Sequence, residues 1–322
     1  MYLTLKKAQP RALRIIENSI NNNRLSHAYL FTGPEGTYKK EMAYHFALSL
    51  YCKEKEPCYK CPNCLAILEN RHMNVYYIEP IGQTVRKEQI LSLQDEFSKT
   101  SLLPGPRIYI INDADTMTSS AANSLLKFIE EPVNEETYGI LITKHKDNML
   151  STIISRSMVI NFDQIDKNHL KEELAKKEID LVLTDSITVL TSNVVEANSL
   201  AVDVDFTNVV NIFQKFVNQL CENKPIALFY RANSDVLNKE RLKSFLILLE
   251  SFYRDIYEYQ INKNILTFTS LSNEIIKISS AISSDDVLKY LFQILELIKK
   301  SSYNVNMSLL MNQFLIDMNG GF

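Results

Sequence analysis

The sequence predicts two kinds of architecture in one chain: an α/β domain built on a doubly wound parallel sheet, then an all-helical half. Three observations carry this. Short apolar runs of strand length alternate with helical stretches only in the front half. Gly33, Gly36, Gly82, Gly105 and Gly139 all lie there, and no glycine follows until Gly320 and Gly321. After Pro132 the only proline is Pro225. Glycine and proline punctuate loops and break helices, so a back half nearly free of both can run in long helices.

The strand candidates are Ala28–Phe31, Val75–Ile78, Ile108–Ile111, Ile140–Thr143 and Met158–Ile160, apolar runs of the kind buried on both faces of a parallel sheet. The helical stretches between them are Lys40–Tyr51, Lys87–Lys99 and Ser119–Glu131. Ligands on such sheets sit beyond the carboxyl ends of the strands, which directs attention to the loops after Phe31 and Ile111. In the back half, Leu242, Phe245, Leu246, Leu249, Phe252, Tyr253 and Ile256 recur at helical spacing. So do Val287, Leu288, Leu291, Ile294, Leu295 and Ile298, behind a start at Ser284 that suits a helix cap. The expected division is an α/β domain over 1–163, a small helical unit over 164–205 and a larger helical bundle over 206–322.

A chain of 322 residues has room for two or three domains, each with its own core. Hydrophobic residues at 46% and charged residues at 23% fit a globular protein and exclude a disordered chain or a collagen-like repeat. Lys plus Arg number 35 against 38 Asp plus Glu, a net charge of −3. A protein that grips nucleic acid mainly by neutralising phosphates is usually strongly basic, so any DNA contact must be local or shared with partners. No apolar run reaches the roughly 18–20 residues of a membrane span, and no apolar segment precedes a cleavage site at the amino terminus. A cytoplasmic location is expected.

The loop after the first strand runs from Gly33 to Lys40 and approximates the phosphate-binding pattern G-x-x-x-x-G-K-[ST]. Gly33 and Lys39 match it, and Gly36 lies between them. Tyr38 stands at the second glycine and Lys40 at the hydroxyl position. The glycine lets the backbone approach phosphate without a Cβ, and the hydroxyl is a Mg²⁺ ligand that an ammonium cannot replace. The acidic motif after the third strand departs in the same direction. Asn112 occupies the position of a metal-holding Asp, and Asp113 that of a water-polarising Glu. Two losses in separate motifs point to a nucleotide-type fold that does not hydrolyse ATP; a drifted but working ATPase is the plainer alternative. Lys39 can hold an anion at the helix start or stand as an ordinary lysine.

Cys52, Cys58, Cys61 and Cys64 follow the spacing C-x5-C-x2-C-x2-C. Four thiolates suit tetrahedral Zn²⁺ and leave no open position, so a structural zinc is expected. Incidental buried thiols are the alternative. Cys221 sits alone in an apolar helical stretch and is expected to pack in the core. His27 precedes a strand with no acid or nucleophile patterned beside it and reads as structural.

Together these features resemble the clamp-loader branch of the AAA+ ATPases. The carrying segments are Ser26–Phe31, the four-cysteine insert, Arg107–Ile111 with Asp113 and Asp115, Ala122–Pro132 and Ile153–Ser157; the part from Asn123 to Pro132 is the most specific. The likeness covers residues 10–165 well and the remainder by helical character and length. It implies an AAA+ P-loop-type sheet domain with a zinc-knuckle insert near 52–64, a small helical lid and an all-α collar that joins subunits.

Within that branch the altered phosphate loop and magnesium site imply the non-hydrolysing type of subunit. The lid agrees. Hydrolysing subunits carry a Gly-Ser-x-Arg stretch with a nucleotide-sensing arginine, and Ser192–Asn198 contains neither glycine nor arginine. The family's Ser-Arg-Cys motif reads Ser155-Arg156-Ser157 here. The resemblance implies that Arg156 reaches across an interface to a neighbour's ATP; a surface arginine paired with a nearby acid is the alternative. Lys127, Glu130 and Glu131 are implied near the inter-subunit surface, and Thr143 at a phosphate-sensor position with a structural role only. The implied partners are gamma/tau and delta subunits in a hetero-pentamer, the sliding clamp, and primed DNA reached through the assembly. Zinc is the expected cofactor, and no ATP of the chain's own is expected. An ATP-hydrolysing gamma/tau-type subunit and a zinc-containing adaptor outside replication are the competing readings.

Overall fold

A computed structural model describes residues 1–54, 56–99, 103–131, 136–265, 267–301 and 305–319. Pro132, the end of the most specific segment, and Gly320 and Gly321 lie outside the described residues. The chain divides into two units, Met1–Ile165 and Asp166–Phe322.

The first unit is built on five parallel strands: β1 (Ala28–Thr32), β2 (Val75–Ile78), β3 (Arg107–Ile111), β4 (Thr137–Thr143) and β5 (Met158–Asn161). Their order across the sheet is β2-β3-β4-β1-β5. Leu30 pairs with Leu141 on one side and Val159 on the other, which puts β1 and its loop in the interior of the sheet. Helices α1 (Tyr2–Ala8), α2 (Pro10–Asn21), α3 (Lys39–Tyr51), α4 (Pro62–Leu68), α5 (Lys87–Ser98), α6 (Ser119–Glu130) and α7 (Ser151–Arg156) connect and cover it. Alternate residues of β1 face opposite cores. Tyr29 and Phe31 pack with Phe46 and Leu48 of α3, whereas Leu30 packs with Leu125 and Phe128 of α6.

Strand β4 begins three residues before Ile140, where the expected strand starts, and Gly139 lies inside it rather than in a loop. The cause is Tyr109 on the adjacent strand. A Cβ at Gly139 would come within 2.1 Å of that ring, so the glycine makes room for an aromatic side chain.

Arg107 is buried at the start of β3. Its guanidinium donates to the carbonyls of Glu96 (2.8 Å), Phe97 (2.8 Å) and Lys99 (2.9 Å) and lies 4.2 Å from the centre of the Phe97 ring. These carbonyls lie at the carboxyl end of α5, the one of Glu96 also accepting from the Lys99 N–H, and the cation suits the negative end of the helix dipole. Arg107→Met keeps the stem but removes the charged donors from all three carbonyls, of which Glu96 keeps the Lys99 N–H. A loss of about 2–3 kcal/mol in unfolding free energy is expected in urea titration, and a change under about 0.5 kcal/mol would remove this role.

The second unit is helical: α8 (Lys167–Ala175), α9 (Leu181–Leu190), α10 (Val194–Val202), α11 (Val204–Cys221), α12 (Phe229–Ala232), α13 (Lys239–Asn262), α14 (Ser272–Ala281), α15 (Ser284–Ser301) and α16 (Met307–Asn319). All seven apolar residues expected on one face of α13 are buried. On α15 the buried stripe is rotated. Val287, Tyr290, Ile294 and Leu297 face inward, while Leu295 is exposed. The helix is capped by Ser283 rather than Ser284, its Oγ accepting from the Asp286 N–H at 3.1 Å. Cys221 ends α11 half-buried, with Sγ directed at the Glu274 carbonyl, so it borders the core rather than filling it. Two carboxylates hold the loop around residues 267–270. Asp255 accepts from the N–H groups of Thr267 and Phe268, and Asp185 from Ser270 while it pairs with Lys171. No helix among the described residues is long and apolar enough to cross a membrane.

Candidate functional site

From Thr32 the chain turns through Gly33–Tyr38 into α3, at the carboxyl end of the sheet. Gly33 has φ +150°, and a Cβ there would stand 2.3 Å from the Phe162 carbonyl oxygen. The close pass of the chain leaving β5 therefore demands glycine at this position. Tyr38 has φ 63°, the left-handed region. The loop thus keeps a bend that glycine adopts freely and carries it on a side chain, at a cost of about 1–2 kcal/mol.

Lys39 is buried. Its Nζ donates to the Gly33 carbonyl at 2.6 Å, to the Pro34 carbonyl and to Thr37 Oγ1 at 3.3 Å. Burial, and then the nearby Lys144, pull its ammonium down to about 8. The ammonium is held by the loop's own oxygens. Lys40 points elsewhere. It pairs with Glu79 at 3.0 Å and lies 4.6 Å from the centre of the Tyr77 ring. This hydrogen bond holds the Glu79 carboxyl below its ordinary range.

After β3, Asn112 donates its side-chain amide to Asp113 at 2.9 Å, and Asp113 has φ 47°. Lys144, one residue past β4, joins the two motifs. Its Nζ is 3.0 Å from Glu35 in the phosphate-type loop and 3.7 Å from Asp113. The bond to Glu35 raises its ammonium above the usual lysine range. One cation therefore ties together the loops after β1, β3 and β4, which are neighbours in the sheet. Sequence reasoning missed Lys144. Its position directly behind the Thr143 strand end was the available signal.

Thr143 is buried, with its hydroxyl accepting from the His145 N–H at 3.1 Å. His27 stacks on Tyr138, and its Nδ1 lies 3.3 Å from the Thr137 carbonyl. Arg156 is the last residue of α7 and is paired at 2.8 Å with Glu130, the last residue of α6; its Nη1 also donates to the Thr152 carbonyl at 3.2 Å. Both side chains are about two-fifths exposed, at 42% and 40%.

The four cysteines converge. All four Sγ atoms lie within 4.8 Å of one another, and Cys58 and Cys64 are separated by 3.9 Å. A tetrahedron with about 2.3 Å metal–sulfur bonds has sulfurs about 3.8 Å apart. The donor set therefore fits a metal ion, and all four are free thiols. The Cys58 N–H points to Cys52 Sγ and the Cys61 N–H to Cys58 Sγ. Backbone N–H groups of Lys60 and Cys61 pull the Cys58 thiol down to about 6, and burial pushes the Cys64 thiol up to about 12. Tyr59 docks the insert on the sheet domain through a 3.2 Å contact from its hydroxyl to His45 Nδ1.

An all-parallel sheet with a phosphate-type loop behind its inner strand β1, an acidic loop behind β3 and a helical second unit defines a P-loop-type α/β protein. Comparison with known proteins narrows this. The family described as DNA polymerase III, delta subunit, matches residues 8–166. DNA polymerase III subunit delta' of Bacillus subtilis is 34% identical over 323 residues, spanning 98% of each chain. The delta' subunit of Pseudomonas aeruginosa is 32% identical over 136 residues, 41% of this chain and 41% of that one. The tau/gamma subunit of Haemophilus influenzae is 28% identical over 170 residues, 52% of this chain and 24% of that one. The chain belongs to the DNA polymerase III delta' family.

Proposed function

We propose that this chain is a cytoplasmic, non-hydrolysing delta'-type subunit of a clamp loader, and that Arg156 serves the ATP of a neighbouring subunit. The observation that carries the first part is the fate of the two lysines in the phosphate-type loop. Lys39 is bonded to the loop's own oxygens, and Lys40, at the Mg²⁺-ligand position, is committed to Glu79. Asn112 offers a neutral amide where a phosphoryl-transfer site needs a carboxylate on the metal. An exposed guanidinium at the end of α7 supports the second part. A fork of this kind stabilises charge developing on a transferred phosphoryl group.

The subunit has no enzymatic activity of its own in this reading. It stands beside gamma/tau and delta subunits in a hetero-pentamer that opens a sliding clamp and places it on primed DNA. Residues 164–205 act as the lid and residues 206–322 as the collar through which the subunits join. Cys52, Cys58, Cys61 and Cys64 hold a structural Zn²⁺, because four thiolates fill its coordination shell.

The test is nucleotide binding and hydrolysis by the chain alone. With Mg·ATP up to about 1 mM, the top of the usual KM range, neither saturable binding nor turnover is expected. Turnover by the purified chain at about 1 s⁻¹, a rate ordinary for an enzyme, would instead assign it to the hydrolysing gamma/tau type.

A further inference from the structure

We infer that Glu130 is the positioning residue for the Arg156 guanidinium, an inference that rests on the reading of Arg156 given above. A finger must present its N–H donors in a fixed direction, yet an arginine stem is long and carries much rotamer freedom. Here two contacts remove that freedom. Glu130 takes Nη2 at 2.8 Å, and the Thr152 carbonyl takes Nη1 at 3.2 Å. A guanidinium has five N–H donors, so the Nε–H and one hydrogen on each terminal nitrogen remain to meet an anion.

The support under Glu130 is a helix packed on the sheet domain's core. Glu130 is the last residue of α6, whose Leu125, Phe128 and Ile129 are buried against the sheet. The carboxylate is therefore carried on a packed helix, which fixes a group more closely than a loop does. Arg156 ends a second short helix, anchored by the fully buried Ile153. The ion pair itself lies where solvent reaches both side chains, outside the apolar cluster that Leu125 and Ile153 share. Removing the carboxylate should leave the fold intact and let the finger wander.

The experiment uses the reconstituted assembly. Glu130→Ala and Glu130→Gln are each placed in the wild-type and Arg156→Ala backgrounds, with assembly checked by gel filtration. Single-turnover hydrolysis at the adjacent site, followed over a range of ATP concentrations, gives kcat and KM for that site alone. Exposed ion pairs are weak, so kcat should fall by about 2- to 5-fold with KM unchanged. In the Arg156→Ala background the same substitutions should do nothing further. An unchanged kcat, a raised kcat, or an equal loss in both backgrounds overturns the positioning role. If Arg156→Ala itself leaves the rate unchanged, the finger reading falls and this one with it. If Arg156→Ala slows hydrolysis and the Glu130 variants do not, only the role of Glu130 falls.

Discussion

Arg156→Ala is expected to slow ATP hydrolysis at the neighbouring site by about 10³-fold or more while leaving this subunit folded. The size follows from the chemistry. The γ-phosphoryl group passes through a transition state whose charge lies on its outer oxygens, and a guanidinium aimed at them contributes about 10³–10⁵ in rate. The sparing of the fold follows from the geometry. The ion pair with Glu130 is solvent-reached at both ends, and such pairs contribute at most about 1 kcal/mol to stability. The measurement is single-turnover hydrolysis in the reconstituted assembly, because other sites in a ring continue to turn over and mask the loss in a steady-state rate. The amplitude belonging to one site should disappear from the fast phase. Arg156→Lys tests the cause. It restores the charge without the fork, so most of the loss should persist. A fast phase of unchanged amplitude in a correctly assembled Arg156→Ala loader would remove the guanidinium from the mechanism and leave it a surface ion pair.

Much of the sheet was legible because its signals are local. Each expected run is a short apolar stretch, and each of the five lies within one of the five strands observed. What was not legible depends on neighbours distant in sequence. Gly139 reads as a loop former until Tyr109 is placed on the adjacent strand. Leu295 fits a helical stripe as well as Leu297 does, and only the packing around α15 selects the latter. Lys144 carries no motif at all; its role exists because β4 and β1 lie side by side and bring Glu35 within 3.0 Å. The departures of Tyr38, Lys40 and Asn112 were readable as missing chemistry. What the lysines do instead, one turned onto the loop's carbonyls and the other onto Glu79, required coordinates.

The second large effect concerns the cysteine cluster. Wild-type protein is expected to carry about one zinc per chain, and Cys61→Ser to lose it. A thiolate ligand is both charged and soft, and a serine hydroxyl at neutral pH is neither, so the remaining three ligands hold the ion far less tightly. Structural zinc sites in isolated peptides are worth about 10–16 kcal/mol of apparent binding energy, all of it folding energy there. Here the loss should stay local. Cys64 is fully buried beside Ile67 in the same apolar cluster as Phe31 and Phe46, and that cluster has many members besides the cysteines. The sheet should therefore survive, while α4 and the Tyr59–His45 contact loosen. Proteolysis should cut the 52–64 segment faster in Cys61→Ser than in wild type, with strand amides still protected from hydrogen exchange. Cys221→Ser is the control. That thiol lies outside the cluster, at the end of α11, and its loss should change neither metal content nor cleavage. Metal analysis settles the point from either side: wild type purified without chelator yet free of zinc, or Cys61→Ser retaining a full equivalent, is incompatible with four sulfurs holding one ion.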